Sequence, residues 1–348
     1  MDEQRQQRIK KITQSIIGLP TLPTVITQMI GLIDNPKTSA KDVASLISTD
    51  QALTAKILKL ANSSFYGFPR EIATVNHAVV VLGFETVKSL GLSVSVLERF
   101  AGGNSGTDFD RQKFWEHSIA CGVAARMLAG KLRYRVQGEA FAAGILHDIG
   151  KLILSQYFTD EFAQILALVR DEDLYIGKAE EQVLGLTHSE IGHWLAEKWN
   201  LPDKLVSAIA YHHTPGRLER GAELPSLIHL ADFLCRREKI GDGGGTRLPN
   251  LDPAALRTFG IHEEPKAAMR RIFGYGDLLH EEMERADAFR SIARGEGTDP
   301  EDNADPDSDP DPGSGPDGNG GGTGSEAEGE VVGGVRRGGL WYSGRVSE

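Results

Sequence analysis

Cysteine is nearly absent from this 348-residue chain, which holds only Cys121 and Cys235. Neither stands in a CxxC, so nothing supports a thiolate zinc site, and the low count suits a reducing compartment. Both are read as small core residues. Long hydrophobic runs are also missing: none approaches the ~18 apolar residues of a membrane span. The N-terminal MDEQRQQRIKKITQ is charged where a signal peptide would be apolar. A soluble, cytoplasmic protein with no membrane partner is expected. Strand signatures are scarce, and no repeat of solenoid period occurs. A basic excess is lacking too. The net charge is −11, and residues 296–348 account for most of it, with 13 acids against 3 Arg. The remainder is close to neutral, so no nucleic-acid partner is expected.

What the chain does have is helical periodicity as far as Gly295. The expected fold is all-α: two packed helical bundles followed by a disordered acidic tail. The boundaries read as an N-terminal extension over 1–11, a first helical subdomain over 12–107 and a second over 108–240. A C-terminal helical extension over 250–294 and the tail over 295–348 complete the chain. LPTLPT at 19–24 suits a helix start. HAVVVLGFETVKSLGLSVSVLERF continues the helical pattern, and AGGNSGTD after it reads as a joint. Thr187-His188-Ser189-Glu190 is a capping-box pattern that should start a helix near His188. Pro202 opens a helix that Pro215 closes, Pro225 opens another, and EKIGDGGGTRLPN is a polar break. The tail is rich in Pro, Gly, Asp and Ser, too poor in apolar residues to offset chain entropy. Its isolated Leu340-Trp341-Tyr342 cluster reads as an untethered end or a short docking peptide.

The informative polar residues lie in the second group of helices. His117 is mid-helix, His147 and Asp148 end a helix inside the apolar run AAGILHDIGKLIL, and His188 starts another. His212 and His213 end a fourth, and Asp232 sits within LIHLADFLC. Buried polar groups are costly unless paired or metal-bound. Imidazole and carboxylate are ligands for borderline or hard divalent ions, and Asp can bridge two of them. Each residue alone is more often a hydrogen-bonded core group; the ordered set on consecutive helices points to a metal centre.

The order His117, HDIGK at 147–151, His188, His212-His213 and Asp232 resembles the HD phosphohydrolase superfamily, in particular its HD-GYP branch. Over about 12–235 the sequence resembles the HDOD family of bacterial signalling proteins. The motifs that carry this are LPTLPTVITQMIGLIDN, ISTDQALTAKILKLANSSFYG, TVNHAVVVLGFETVKSLGLS, FWEHSIACG, GILHDIGKL, EEQVLGLTHSEIGHWLAEKWNLP and IAYHH. The resemblance implies a first metal on His117, His147, Asp148 and Asp232. A second would sit on Asp148 as bridge with His188, His212 and His213. The pair would be dinuclear Fe, Mn or Zn, with Lys151 approaching a substrate phosphate. Two departures matter. No Gly-Tyr-Pro loop follows His212-His213, which weakens the case for cyclic-di-GMP. Lys113 stands where some members place an acid, which weakens the case for a third metal. His77, His193 and His229 match no family ligand and read as structural. The turn Asn62-Ser63-Ser64-Phe65-Tyr66-Gly67 should cap a helix and seat Phe65 and Tyr66 against the other bundle.

Two functions follow from the resemblance. The first is a non-catalytic signal-transduction module acting through signalling partner proteins, with a nucleotide or cyclic dinucleotide as a ligand to be tested. The alternative is a metal-dependent phosphohydrolase acting on a nucleotide or phosphoester, in which Lys151 and Asp148 would be catalytic. The sequence shows no clear substrate cleft, and the N-terminal helices are placed to cover one.

Overall fold

Among the described residues from Thr24 on, apolar side chains spaced by three and four residues coil into seventeen α-helices, and no strand occurs. The computed structural model describes residues 12, 14, 18, 21–33, 38–101, 108–134, 137–245 and 247–296. The expected N-terminal extension 1–11 lies outside these, as does the tail from 297, including Leu340, Trp341 and Tyr342. In chain order the first five helices are α1 Thr24–Ile33, α2 Ala40–Ile47, α3 Gln51–Ala61, α4 Val75–Leu82 and α5 Phe84–Ala101. The second group is α6 Arg111–Lys131, α7 Gln137–Leu146, α8 Ile149–Tyr157, α9 Thr159–Asp171, α10 Ile176–Val183, α11 His188–Lys198, α12 Asp203–Tyr211 and α13 Glu223–Arg237. α14 Pro253–Thr258, α15 Pro265–Phe273, α16 Gly276–Arg285 and α17 Asp287–Ala293 close the described chain.

The apolar segment 77–100 is not one continuous helix. It breaks at Gly83, whose φ of +84° is a conformation L side chains rarely adopt, and α4 meets α5 at 119°. No single described helix is long and apolar enough to cross a membrane; this bent pair passes only by length and composition. α5 is instead buried in protein, with Leu90, Val94, Val96 and Leu97 fully covered.

α5 packs on α7, which in turn lies along α6, so the two groups of helices share a core. An aromatic seam fastens them. Phe65 lies 5.3 Å from Phe141 of α7 and 5.2 Å from Phe289 of α17, and Arg126 of α6 stacks over its ring at 4.0 Å. The turn before it is held by Asn62, which caps α3 and bonds both the N–H and the carbonyl of Ile72. α16 and α17 thus pack back onto the helices that precede them.

Candidate metal centre

Helix ends carry backbone carbonyls that lack an intrahelical donor. Two histidines use this. His147, just past α7, donates Nδ1–H to the Gly144 carbonyl at 2.7 Å, and His212, just past α12, donates to Ile209 at 2.9 Å. His188, at the start of α11, donates Nδ1–H to Glu180 at 2.7 Å. Each bond fixes the tautomer and turns the Nε2 lone pair inward, as metal-bound histidines require. The Thr187–Glu190 capping box that sets α11 is formed as expected. Thr187→Ala should cost ~1 kcal/mol, read by denaturant unfolding. Pro225 lies in the first turn of α13, which starts two residues earlier at Glu223.

All seven residues singled out above meet in one buried cluster. His117 Nε2 is 3.1 Å from Asp232 Oδ1, and His147 Nε2 is 3.3 Å from Asp148 Oδ2. Asp148 Oδ1 faces His188 Nε2 at 3.1 Å and His212 Nε2 at 3.6 Å. His188 and His213 bring their Nε2 atoms to 3.1 Å. The ligand atoms sort into two groups, each within 4.8 Å: His117, Cys121, His147 and Asp232, and Asp148, His188, His212 and His213. Five atoms at the centre are buried without a hydrogen-bond partner among the described residues: His147 Nε2, Asp148 Oδ1, His212 Nε2, His213 Nδ1 and Asp232 Oδ2. So many orphans in one place fit a cation, since each would otherwise cost ~1–3 kcal/mol.

The charges are arranged around the same centre. Lys151, wholly buried, reaches Asp148 Oδ2 at 2.5 Å. Arg236, its side chain 4% exposed, donates Nε–H to Asp232 Oδ1 at 2.7 Å. Burial resists the charge on Asp148, but His147 and Lys151 hold its carboxyl well below the ordinary range. Burial likewise opposes Asp232, and Arg236 and His117 outweigh it. Burial works against protonating His117, yet Cys121 and Asp232 beside it lift the imidazole to about 10. His212 is pushed down to about 4 by burial. Three buried carboxylates, Glu180, Asp148 and Asp232, and two buried basic side chains, Lys151 and Arg236, are thus gathered around the histidines.

Sequence reasoning missed four features. Arg236 stands one turn beyond Asp232, and Glu180 eight residues before His188; neither spacing is a motif. Cys121 is a core residue as expected, but its Sγ also lies 3.6 Å from His117 Nε2. The fourth is the supposed polar break. Residues 241–245 lie across the centre as a strap, with Asp242 N–H donating to the Lys113 carbonyl at 2.9 Å and Arg236 to Gly245 at 2.9 Å. Gly241, with φ +65°, passes so close that a Cβ would stand 2.3 Å from His117 N. At Gly243 a Cβ would sit 3.2 Å from the His117 ring and 3.3 Å from Asp148 Oδ2.

A cleft of about 980 Å³ opens beside the second group, lined by Tyr175, Lys178, His188, His213, Arg217 and Arg247 among others. Among the described residues, none before Leu174 lines it. His117, His147 and Asp232 do not line it either. The three histidines read as structural, His77, His193 and His229, are not among the clustered ligand groups. His193 is one-third exposed beside Glu197, and His77 is exposed. His229 donates Nδ1–H to the His212 carbonyl at 2.7 Å and accepts from the Asp252 N–H at 3.0 Å, bracing the end of α12.

An all-helical protein that gathers a His–Asp pair and further histidines from separate helix ends is the class that fold and cluster define. Within that class the chain belongs to the HDOD domain family, whose model matches residues 19–215. A Treponema pallidum (strain Nichols) protein, described as uncharacterized, is 26% identical over 230 residues, which are 65% of this chain and 44% of the relative. Ribonuclease Y of Deinococcus radiodurans is 29% identical over 170 residues, 44% of this chain and 28% of the relative. The chain therefore spans less than half the length of both relatives. Among solved structures, an HDOD domain protein with unknown function from Geobacter sulfurreducens superposes with a TM-score of 0.61 at 25% identity, covering 81% of this chain and 96% of that one.

Proposed function

We propose that this chain is a non-catalytic HDOD regulatory module that carries divalent cations on His117, His147, Asp148, His188, His212, His213 and Asp232. Its output would be contact with signalling proteins. The observation that carries this reading is the strap 241–245, which packs against His117 and one oxygen of Asp148 and so restricts access to the first ligand group. Lys151 points the same way: it is buried and paired with Asp148 rather than facing the cleft.

The cleft favours a second reading, a metal-dependent phosphohydrolase. Bound divalent ions would supply Lewis acidity and a water ionised near neutral pH. The chain's own part would be to bind phosphate oxygens with Arg217, Arg247 and Lys178 and to reach the second group through His213. The likeness to Ribonuclease Y bears on this alternative.

One experiment separates the two. The purified chain is analysed for Fe, Mn and Zn, then assayed on a generic phosphodiester and on cyclic dinucleotides. Bound metal without hydrolysis is the expected result. Turnover that Asp148→Ala abolishes would replace the regulatory reading with the enzymatic one. Chelation should also lower Tm by several degrees, since a ligand at 100 times its Kd adds ~2.7 kcal/mol to the folded state. An unchanged Tm together with no metal by analysis would remove the cations from both readings.

A further inference from the structure

We infer that Cys121 is a protein ligand of the first cation, which it holds together with His117, His147 and Asp232. The inference rests on the metal-carrying reading above and adds a ligand that reading does not contain. His117 and Cys121 are four residues apart on α6, hence on one face and one turn from each other. Their ligand atoms are 3.6 Å apart. A tetrahedral ion ~2.0–2.1 Å from nitrogen and ~2.3 Å from sulfur sets that edge at about 3.6 Å. The other two ligand atoms, His147 Nε2 and Asp232 Oδ2, are buried and unpartnered among the described residues.

Asp148 is the competing fourth ligand. Its Oδ2 lies 3.3 Å from His147 Nε2 but is held by Lys151 at 2.5 Å, and Oδ1 turns to His188 and His212 in the second group. Two neighbouring sites that do not share a carboxylate bridge result. Cys235, three residues after Asp232, is buried as a neighbour of Cys121 and belongs to neither ligand group.

Four protein ligands leave the first ion no position for water, as in structural zinc sites, and a thiolate selects Zn, Fe or Co over Mg and Mn. The second group borders the cleft through His188 and His213 and holds the more exchangeable ion. The chain would then carry one tight, closed ion and one accessible ion.

The test is a Co²⁺ titration of the metal-stripped full chain, followed by absorption. The first equivalent should raise a thiolate-to-cobalt band in the near ultraviolet and visible d–d bands of tetrahedral intensity. Cys121→Ser should remove the ultraviolet band and weaken the tight equivalent by more than the ~10–100-fold that loss of an outer-shell partner costs. The same variant should leave the second equivalent bound, and Cys235→Ser should keep the band. Two equivalents bound to the parent chain with no thiolate band would overturn the Cys121 assignment alone. No Co²⁺ bound at all would overturn the metal-carrying reading beneath it. Should Cys121→Ser not fold, X-ray absorption of the zinc-loaded parent decides: one sulfur scatterer at about 2.3 Å supports the ligand, and none refutes it.

Discussion

Asp148→Ala should destabilise the metal-free protein by ~3–5 kcal/mol and abolish binding of the second cation. The carboxylate is fully buried and is the anion within 2.5 Å of the equally buried Lys151 ammonium. Removing it leaves that ammonium in a low-dielectric site, where an unpaired charge costs several kcal/mol. Three of its neighbours, His188, His212 and Arg236, also lose a nearby negative charge. Asp148→Asn separates the two losses: it keeps the volume and an acceptor but not the charge. Urea unfolding with an unchanged m-value reports the stability term, and metal analysis of the folded variants reports the ligand term. A variant as stable as the parent would mean that Lys151 is not held as described.

Gly150→Val should be at least as damaging, costing ~3 kcal/mol or more and loosening the second ligand group. α8 crosses α11 at this residue. A Cβ there would lie 2.0 Å from the His188 carbonyl oxygen and 3.0 Å from Gly192 N. Both obstacles are backbone, so no rotamer change relieves the clash; the helices must separate. Because His188 rides on α11, separation also withdraws its Nε2 from Asp148. The expected readout is a large fall in denaturation midpoint with loss of the weaker metal equivalent. A parent-like midpoint would show that α8 and α11 do not cross this closely.

The helices and the ligand types were legible because their causes are local. His147 and Asp148 stand out as polar residues in an apolar run, and the Thr187–Glu190 pair announces the helix that presents His188. The break at Gly83 was not legible, since the apolar period continues across it and only the backbone angle marks the turn. Arg236, Glu180 and the strap 241–245 were missed for a related reason. Their roles depend on what lies opposite them across the bundle, and a glycine-rich polar stretch reads the same whether it is a linker or a cover.

By itself, the sequence determined that the chain is helical, where helices 188–198 and 203–211 begin, and which histidines and aspartates are candidates for a cation. Those properties follow from residue type and spacing within one helix. Tertiary structure alone decided that Cys121 stands with the first group, that Asp148 stands with the second, and that the cleft meets the second. Coordination is set by distances of 3–4 Å between atoms on different helices. No pattern along a single helix encodes how its neighbours are packed against it.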